Sequence, residues 1–177
     1  MQNGVHSFTG HRPDKVGGYS PNAQKRLIAY AMDVLVRANT EIAIVGMALG
    51  WDQSVADACV ILDIPFVAVV PFPRQEGRWP QPSQERYRRL LGQAQDQITL
   101  RQNAPMSAMQ AAAWLDERNH WMVDESCHLH ALWNGDRMGG TANCVAYAAL
   151  SGREFTNHWD GWAKRGWLPE MFEDLIE

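Results

Sequence analysis

The stretch EIAIVGMALGWDQSVADACVILD, residues 41–63, decides the fold of this chain. Its first part, Glu41–Gly46, is a continuous apolar run, typical of a strand that is covered on both faces of a sheet. After the turn MALG, the segment Asp52–Asp63 places apolar side chains at helical spacing, at Val55, Cys59 and Leu62. A buried strand followed at once by a helix predicts the repeating unit of an α/β fold.

The same alternation runs along most of the chain. The predicted strands are Val5–Thr9, Glu41–Gly46, Ile64–Pro71, Asp96–Leu100 and Cys127–Trp133. The predicted helices are Pro21–Asn39, Asp52–Asp63, Ser83–Ala94, Ser107–Asp124 and Thr141–Leu150. Strands separated by helices of this length need crossover connections, so we expect a doubly wound α/β fold with a mostly parallel central sheet.

Composition excludes several classes of protein. Of the 177 residues, 16 are Lys or Arg and 20 are Asp or Glu, and the net charge of −4 argues against a nucleic-acid partner. No run approaches the roughly 18 apolar residues of a membrane helix, and residues 1–20 lack the pattern of a secretory signal. The three cysteines form no CxxC pair. We therefore expect a cytoplasmic protein with no membrane contact, no disulfide and no metal site.

The loops that follow the strands are where a parallel sheet binds ligands, and three of them contain glycine. The first is TGHRP, residues 9–13, in which Gly10 lets backbone amides approach a ligand and Arg12 offers a planar fork for phosphate or carboxylate. His11 is interpreted as a binding residue. The alternative is an ordinary turn with a solvated arginine.

The second loop is GMALGWD, residues 46–52, whose glycines lie four residues apart before a helix. The start of that helix favours an anion such as a phosphate. Asp52 has two interpretations, as the N-cap of the helix or as an acceptor for a ribose hydroxyl. Trp51 could stack on a base or simply pack in the core.

The third loop is NGDRMGGT, residues 134–141, in which Thr141 could cap the next helix and bind a phosphate oxygen. Together the three loops predict a site for a nucleotide or a sugar phosphate. The predicted binding residues in them are Thr9, Gly10, His11, Arg12, Gly46, Met47, Ala48, Gly50, Trp51, Asp52, Gly139, Gly140 and Thr141.

Five motifs occur in one order along the chain: FTGHRP, GMALGWDQSVADA, WPQPSQERYRRLL, ERNHWMVDES and WNGDRMGGTANCVAYA. In this the chain resembles the SLOG superfamily of nucleotide-binding proteins, and within it the YpsA/YoqJ-like branch (DUF1273). The resemblance covers about residues 4–155 and implies a Rossmann-like three-layer fold with an NAD-derived or ADP-ribose-like ligand. It leads us to expect a domain over residues 1–155 and a Trp-rich extension over residues 156–177.

A further SLOG branch, the cytokinin-activating phosphoribohydrolases, suggests which residues would carry chemistry. Its RKxxM arginine matches Arg118, which implies that Arg118 and the adjoining Asn119 belong to the ligand site. The glycine and threonine of its PGGxGT motif match Gly140 and Thr141, but its catalytic glutamate is replaced by Cys144. A thiol does not supply the carboxylate that this hydrolysis needs. The candidate catalytic residues are therefore Arg118 and three carboxylates that could substitute for the glutamate: Glu117, Asp124 and Asp52.

Other segments have two interpretations each. His128 and His130 lie two apart on a strand and could chelate a metal, although packing or hydrogen bonding is favoured. The Pro-rich loop with Arg74, Gln75, Glu76, Arg78 and Trp79 could cover the site or be a surface excursion. In the extension, Trp159, Trp162, Trp167 and an apolar stripe from Leu168 to Ile176 predict packing on the domain or on the partner of a homodimer.

Three functions follow from these observations. The first is a protein that binds a nucleotide-derived small molecule as a sensor or a sequestering protein, with no cofactor required. The second is a hydrolase that cleaves an N-glycosidic or phosphoester bond of such a molecule. The third is binding of single-stranded DNA, as expected from the SLOG protein DprA, which the acidic composition argues against.

Overall fold

The computed structural model describes residues 4–164, which form a six-stranded parallel sheet with helices on both faces. The strands are β1 (Val5–Gly10), β2 (Ile42–Val45), β3 (Phe66–Val70), β4 (Asp96–Thr99), β5 (His128–Leu132) and β6 (Phe155–Asn157). The helices are α1 (Pro21–Arg37), α2 (Trp51–Ile61), α3 (Gln81–Leu91), α4 (Ala108–Asp124), α5 (Gly140–Leu150) and α6 (Trp159–Lys164). The strand order β4-β3-β2-β1-β5-β6 places β1 and β2 at the centre.

The core lies in two layers, one on each side of the sheet. On one face, α1, α2 and α3 cover β1, β2 and β3 in a large apolar cluster that contains Phe8, Leu35 and Trp51. On the other face, α4 and α5 pack on β1, β3 and β5 through smaller clusters around Met122 and Val145. The result is the doubly wound α/β fold that the alternation of strands and helices predicts, in the three-layer Rossmann-like form that the family resemblance implies.

The predicted elements differ from the structure mainly at their ends. All five predicted strands and all five predicted helices are present, each within a few residues of the expected bounds. The strand β6, which pairs in parallel with β5, is absent from the predicted strands. Its residues are exposed and include Thr156 and Asn157, so they lack the apolar run by which the other strands were recognised.

The first part of the predicted extension packs on the same chain. Trp159 and Trp162 of α6 contact the large cluster, and the Trp162 ring centroid lies 5.5 Å from that of Tyr30. Trp167 and the stripe Leu168–Ile176 lie outside the described residues, so the homodimer stays a prediction. Within residues 4–164, no helix is long and apolar enough to cross a membrane.

Four histidines form a cluster on the face of the sheet that carries α1 and α6, namely His6, His128, His130 and His158. Nδ1 of His130 lies 2.9 Å from Nε2 of His158, and Nε2 of His128 lies 2.8 Å from Oγ1 of Thr156. No group of three or more His, Cys, Asp or Glu residues in the described part of the chain is placed to hold a metal ion. In the folded chain, His128 and His130 pack against each other and form hydrogen bonds with Thr156 and His158.

This histidine cluster makes stability depend on pH. Burial lowers the pKa of His130 to about 2 and that of His158 to about 4, and nearby histidines add to both shifts. Unfolding returns each pKa toward the usual 6.5, so below that pH the unfolded chain binds more protons than the folded chain. The stabilisation is therefore complete above about pH 6.5 and is lost as the pH falls toward the folded values.

We predict that the free energy of unfolding, measured with urea, falls by about 2–3 kcal/mol between pH 6.5 and pH 5 through these two groups. The variant His130→Gln removes one of them and should show roughly half of this decrease. His120→Gln, on α4 and outside the cluster, is the matched control and should keep the wild-type slope. An unchanged slope in His130→Gln would assign the acid sensitivity to other groups.

Candidate functional site

The loops that follow β1, β2 and β5 meet in one cleft at the carboxyl edge of the sheet. The cleft has a volume of about 270 Å³. Its lining includes most of the residues predicted for ligand binding, namely Thr9, Gly10, His11, Arg12, Ala48, Asp52, Arg118, Asn119, Gly139, Gly140 and Thr141. Four predicted residues do not line it: Gly46, Met47, Gly50 and Trp51.

Trp51 holds the first two loops together. Its side chain is fully buried in the large cluster, and a Cβ added at Gly10 would lie 2.5 Å from its ring carbon Cδ1. Gly50 has a φ of +92°, and a Cβ there would lie 2.5 Å from the carbonyl oxygen of His11. Of the two interpretations of Trp51, packing in the core is the one that the structure shows, and its ring does not reach the cleft as a platform for a base.

Both helices that begin at the cleft start at a glycine. The N-cap of α2 is Gly50 and that of α5 is Gly139, whose φ is +111°, and no side chain caps either helix. The predicted capping roles of Asp52 and Thr141 are therefore wrong, since both residues lie inside the first turn. With Gly139, Gly140 and Thr141 lining the cleft, the amides and the positive end of the α5 dipole are available to an anion.

Asp52 and Arg118 form a buried ion pair at the base of the cleft. Oδ2 of Asp52 lies 4.0 Å from Nη1 of Arg118 and accepts a hydrogen bond from the amide of Ala48 at 3.2 Å. Nη1 of Arg118 also donates to the carbonyl oxygen of Gly46. Burial raises the pKa of Asp52 and lowers that of Arg118, while the attraction between the two groups opposes both shifts.

Gly46 and Asn119 position Arg118. A Cβ at Gly46 would overlap the guanidinium, so glycine at this position provides space for Arg118. Nε of Arg118 donates to Oδ1 of Asn119 at 3.0 Å, and Nδ2 of Asn119 donates to the carbonyl oxygen of Gly140 at 3.2 Å. These bonds connect the second loop, α4 and the start of α5.

The mouth of the cleft carries two cations with different surroundings. The exposed guanidinium of Arg12 forms no hydrogen bond or ion pair with the described residues. Lys15 forms an ion pair with Asp136 across the mouth, between the loops after β1 and β5. His11 is buried beside Asn134, and the backbone amide of Asn134 donates to Nε2 of His11 at 2.9 Å. Burial lowers the pKa of His11. Arg12 is thus the cation that a ligand can engage without breaking another contact.

Of the candidate catalytic carboxylates, the cleft contains Asp52 alone among the described residues. Glu117 is paired with Arg101 on the surface, and Asp124 accepts a hydrogen bond from the hydroxyl of Tyr147 at 3.0 Å. Cys144 is fully buried, and this burial raises the pKa of its thiol to about 12. The position of the phosphoribohydrolase glutamate therefore holds a neutral core side chain.

Four lining residues were not predicted: Asp14, Lys15, Leu115 and Met138. Asp14 and Lys15 follow TGHRP directly, and the Pro13–Lys15 turn brings them back to the cleft. Leu115 lies three residues before Arg118, so it shares the α4 face that Arg118 presents, which a helical-spacing argument could have found. The Pro-rich loop does not line the cleft. Of its predicted residues, Arg74, Gln75 and Arg78 line a separate cavity.

The parallel sheet, with a cleft at its carboxyl edge where a helix begins without a capping side chain, defines a Rossmann-like α/β protein. Residues 6–156 match the family model YpsA, described as the YspA SLOG family, so the chain belongs to this SLOG family.

Two curated proteins of Bacillus subtilis (strain 168) are similar over most of their length. The SPbeta prophage-derived protein YoqJ, described as uncharacterized, is 27% identical over 134 residues, which are 70% of this chain and 78% of YoqJ. The UPF0398 protein YpsA is 23% identical over 145 residues, which are 76% of this chain and 78% of YpsA.

Two solved structures share the fold at 12% sequence identity. DNA processing protein A from Helicobacter pylori, which has a single-stranded DNA binding mode, matches with a TM-score of 0.60 over 98% of this chain and 79% of its own. DNA processing protein A from Streptococcus pneumoniae matches with a TM-score of 0.56 over 85% of this chain. The chain spans about half of the pneumococcal protein, 48% of it.

We predict that the buried pair stabilises the fold, because removing one partner leaves the other charge buried and unpaired. Arg118→Met should lower the free energy of unfolding by about 3–5 kcal/mol, as measured with urea. In a protein that already carries Asp52→Asn, Arg118→Met should lower the free energy of unfolding by less, and the difference, which is the coupling energy, should be at least about 1 kcal/mol.

The exposed pair Arg101–Glu117 provides the matched control, and Arg101→Met should change stability by less than about 1 kcal/mol. Strictly additive effects of Asp52→Asn and Arg118→Met would contradict the pairing.

Proposed function

We propose that this protein binds a nucleotide-derived small molecule, NAD-like or ADP-ribose-like, in the cleft formed by the loops after β1, β2 and β5. Its role is that of a sensor or a sequestering protein. The observation that supports this most is that the uncapped start of α5 and the unpaired guanidinium of Arg12 face the same cleft. Amides at a helix start together with an arginine fork are suited to a phosphate group.

Asp52 supports the nucleoside part of this proposal. It lies at the base of the cleft on the first turn of α2, with Oδ2 held by the Ala48 amide and near Arg118. A carboxyl group fixed in this way can accept hydrogen bonds from ribose hydroxyls. A phosphate at the start of α5 and a ribose at Asp52 would both lie within the single cleft.

The first experiment is to measure binding of ADP-ribose to the purified chain and to Arg12→Ala by titration calorimetry. Because Arg12 is exposed, its loss should remove about 1.5–3 kcal/mol of binding free energy and leave the melting temperature unchanged. Lys25→Ala removes an exposed cation that does not line the cleft, so it should bind as the wild type does.

Equal affinities for the wild type and Arg12→Ala would contradict the proposed phosphate position. A native mass measurement on protein purified from cells adds an independent test, because a retained nucleotide appears as a discrete added mass.

A hydrolase is the second candidate, and Asp52 favours it. Burial raises the pKa of this carboxyl group, and a raised pKa suits a general acid. Against this, Cys144 occupies the position of the glutamate that the related hydrolases use, and its thiol stays neutral.

We therefore predict that ADP-ribose, NAD and AMP are recovered intact after long incubation with the protein, as followed by chromatography. Release of free base or ribose phosphate in proportion to protein, and its loss in Asp52→Asn, would establish the hydrolase instead. An Asp124→Asn variant serves as the control, since Asp124 lies outside the cleft.

Binding of single-stranded DNA is suggested by the described binding mode of the Helicobacter pylori structural neighbour. The net charge of −4 provides little attraction for a phosphate backbone. An oligothymidine titration at low salt distinguishes this candidate, and we expect no binding that competes with ADP-ribose.

A further inference from the structure

A second cavity opens where β3 ends. It has a volume of about 530 Å³ and lies between the loop after β3 and residues 104–111, which lead into α4 and form its first turn. Among the described residues, none lines both this cavity and the cleft. The proposed ligand site therefore leaves the second cavity unassigned.

The walls of the second cavity are largely apolar. Phe72 comes from the loop after β3, and Ala108 and Ala111 come from α4. Met106 also lines the cavity and is 91% exposed, more than any other large apolar side chain in residues 4–164. Met109, on the first turn of α4, is 84% exposed. Exposed methionines adapt to the shape of a partner and are typical of protein-binding surfaces.

Two arginines give the second cavity a positive charge. Arg74 and Arg78 line it, both are exposed, and neither side chain forms a hydrogen bond or an ion pair with the described residues. Arg86 on α3, by contrast, is paired with Asp57. No described lining residue of the cavity is a carboxylate, so its charge is not compensated. The cavity therefore fits an apolar partner that carries carboxylates.

The loop that carries these arginines is held in place by α3. Nε2 of Gln75 donates to the hydroxyl of Tyr87 at 3.2 Å, and the ring centroid of Trp79 lies 5.4 Å from that of Tyr87 in an edge-on contact. Glu76 is buried, with Oε1 3.6 Å from Nε of Arg88. A surface that is already ordered loses little conformational entropy when a partner binds to it.

The sequence itself contains a segment with the complementary chemistry, LPEMFEDLIE at residues 168–177. Its apolar residues fall at helical spacing on the stripe that begins at Leu168 and ends at Ile176. The segment carries four carboxylates and no Lys or Arg. It lies outside the described residues, so the match is one of composition and spacing. An apolar stripe flanked by carboxylates suits a groove with apolar walls and unpaired arginines.

The path along the chain favours a second copy as the source of this segment. Residues 165–167 separate α6 from the stripe, and three residues extend over about 11 Å at most. Helix α6 contacts β5, which lies three strand spacings, about 14 Å, from β3. In addition, α6 lies on the face of the sheet that carries α1, whereas α4 covers the opposite face. The start of the stripe therefore falls short of the second cavity in its own chain.

We propose that the protein forms a homodimer in which residues 168–177 of each copy dock in the second cavity of the other copy. The apolar stripe packs on the walls of the cavity, and the carboxylates of Glu173 and Asp174 lie beside Arg74 and Arg78. The two-fold symmetry of a homodimer repeats this contact, so each pairing contributes twice to association. The dimer contact is independent of the proposed ligand, because it uses none of the residues that line the cleft.

The test is the molar mass in solution, measured by light scattering over a series of protein concentrations. The wild type should have the mass of two chains. Reversing the charge on either side, in Arg74→Glu/Arg78→Glu or in Glu173→Arg/Asp174→Arg, places like charges together and should weaken the dimer at least about tenfold. Combining the four changes restores opposite charges and should bring the dimer affinity back to within about threefold of the wild type.

The matched control is Lys25→Glu, which should leave the dimer unchanged because Lys25 is exposed and does not line the second cavity. Circular dichroism and urea unfolding of each variant check that its fold is intact. A monomeric wild type overturns the proposal and assigns the cavity to a partner other than a second copy. A dimer that either charge reversal leaves intact also overturns it, as does a combined variant that stays dissociated.

Discussion

The buried contact between Asp52 and Arg118 is the constraint on which the rest of the site depends. Asp52 is on α2, which covers one face of the sheet, and Arg118 is on α4, which covers the other. Their contact therefore joins the two helical layers across the carboxyl edge. Arg118 also donates to the carbonyl oxygen of Gly46, which follows β2, and to Asn119, whose own amide donates to Gly140 at the start of α5. The position of Arg118 therefore also fixes the end of β2 and the start of α5. The cleft is the space left between these fixed ends.

The fold could be predicted from sequence because its signal is repeated. Five apolar runs alternate with five helical stripes, and each unit supports the interpretation of its neighbours. The exception is β6, whose residues Phe155–Asn157 are short and exposed. Its membership in the sheet comes from pairing with β5, and pairing between distant segments leaves no local pattern in a single sequence.

The site could be predicted in part because glycines mark the strand ends that approach one another. What the sequence did not reveal is the direction in which side chains near those glycines point. Trp51 follows Gly50 directly and was interpreted as a possible base platform, yet it turns into the core, while Asp52 faces the cleft. Lys15 was missed because it carries no motif of its own, and the turn that brings it back to the cleft is visible only in the folded chain.

The close approach of Gly10 and Trp51 has a consequence for how such a sequence can change over time. The indole occupies the space that any side chain at position 10 would need. A larger residue at position 10 is therefore compatible only with a smaller one at position 51. A change at position 10 alone overpacks the core, and a change at position 51 alone leaves a cavity. Among divergent sequences with this architecture, the two positions should accordingly vary together or not at all.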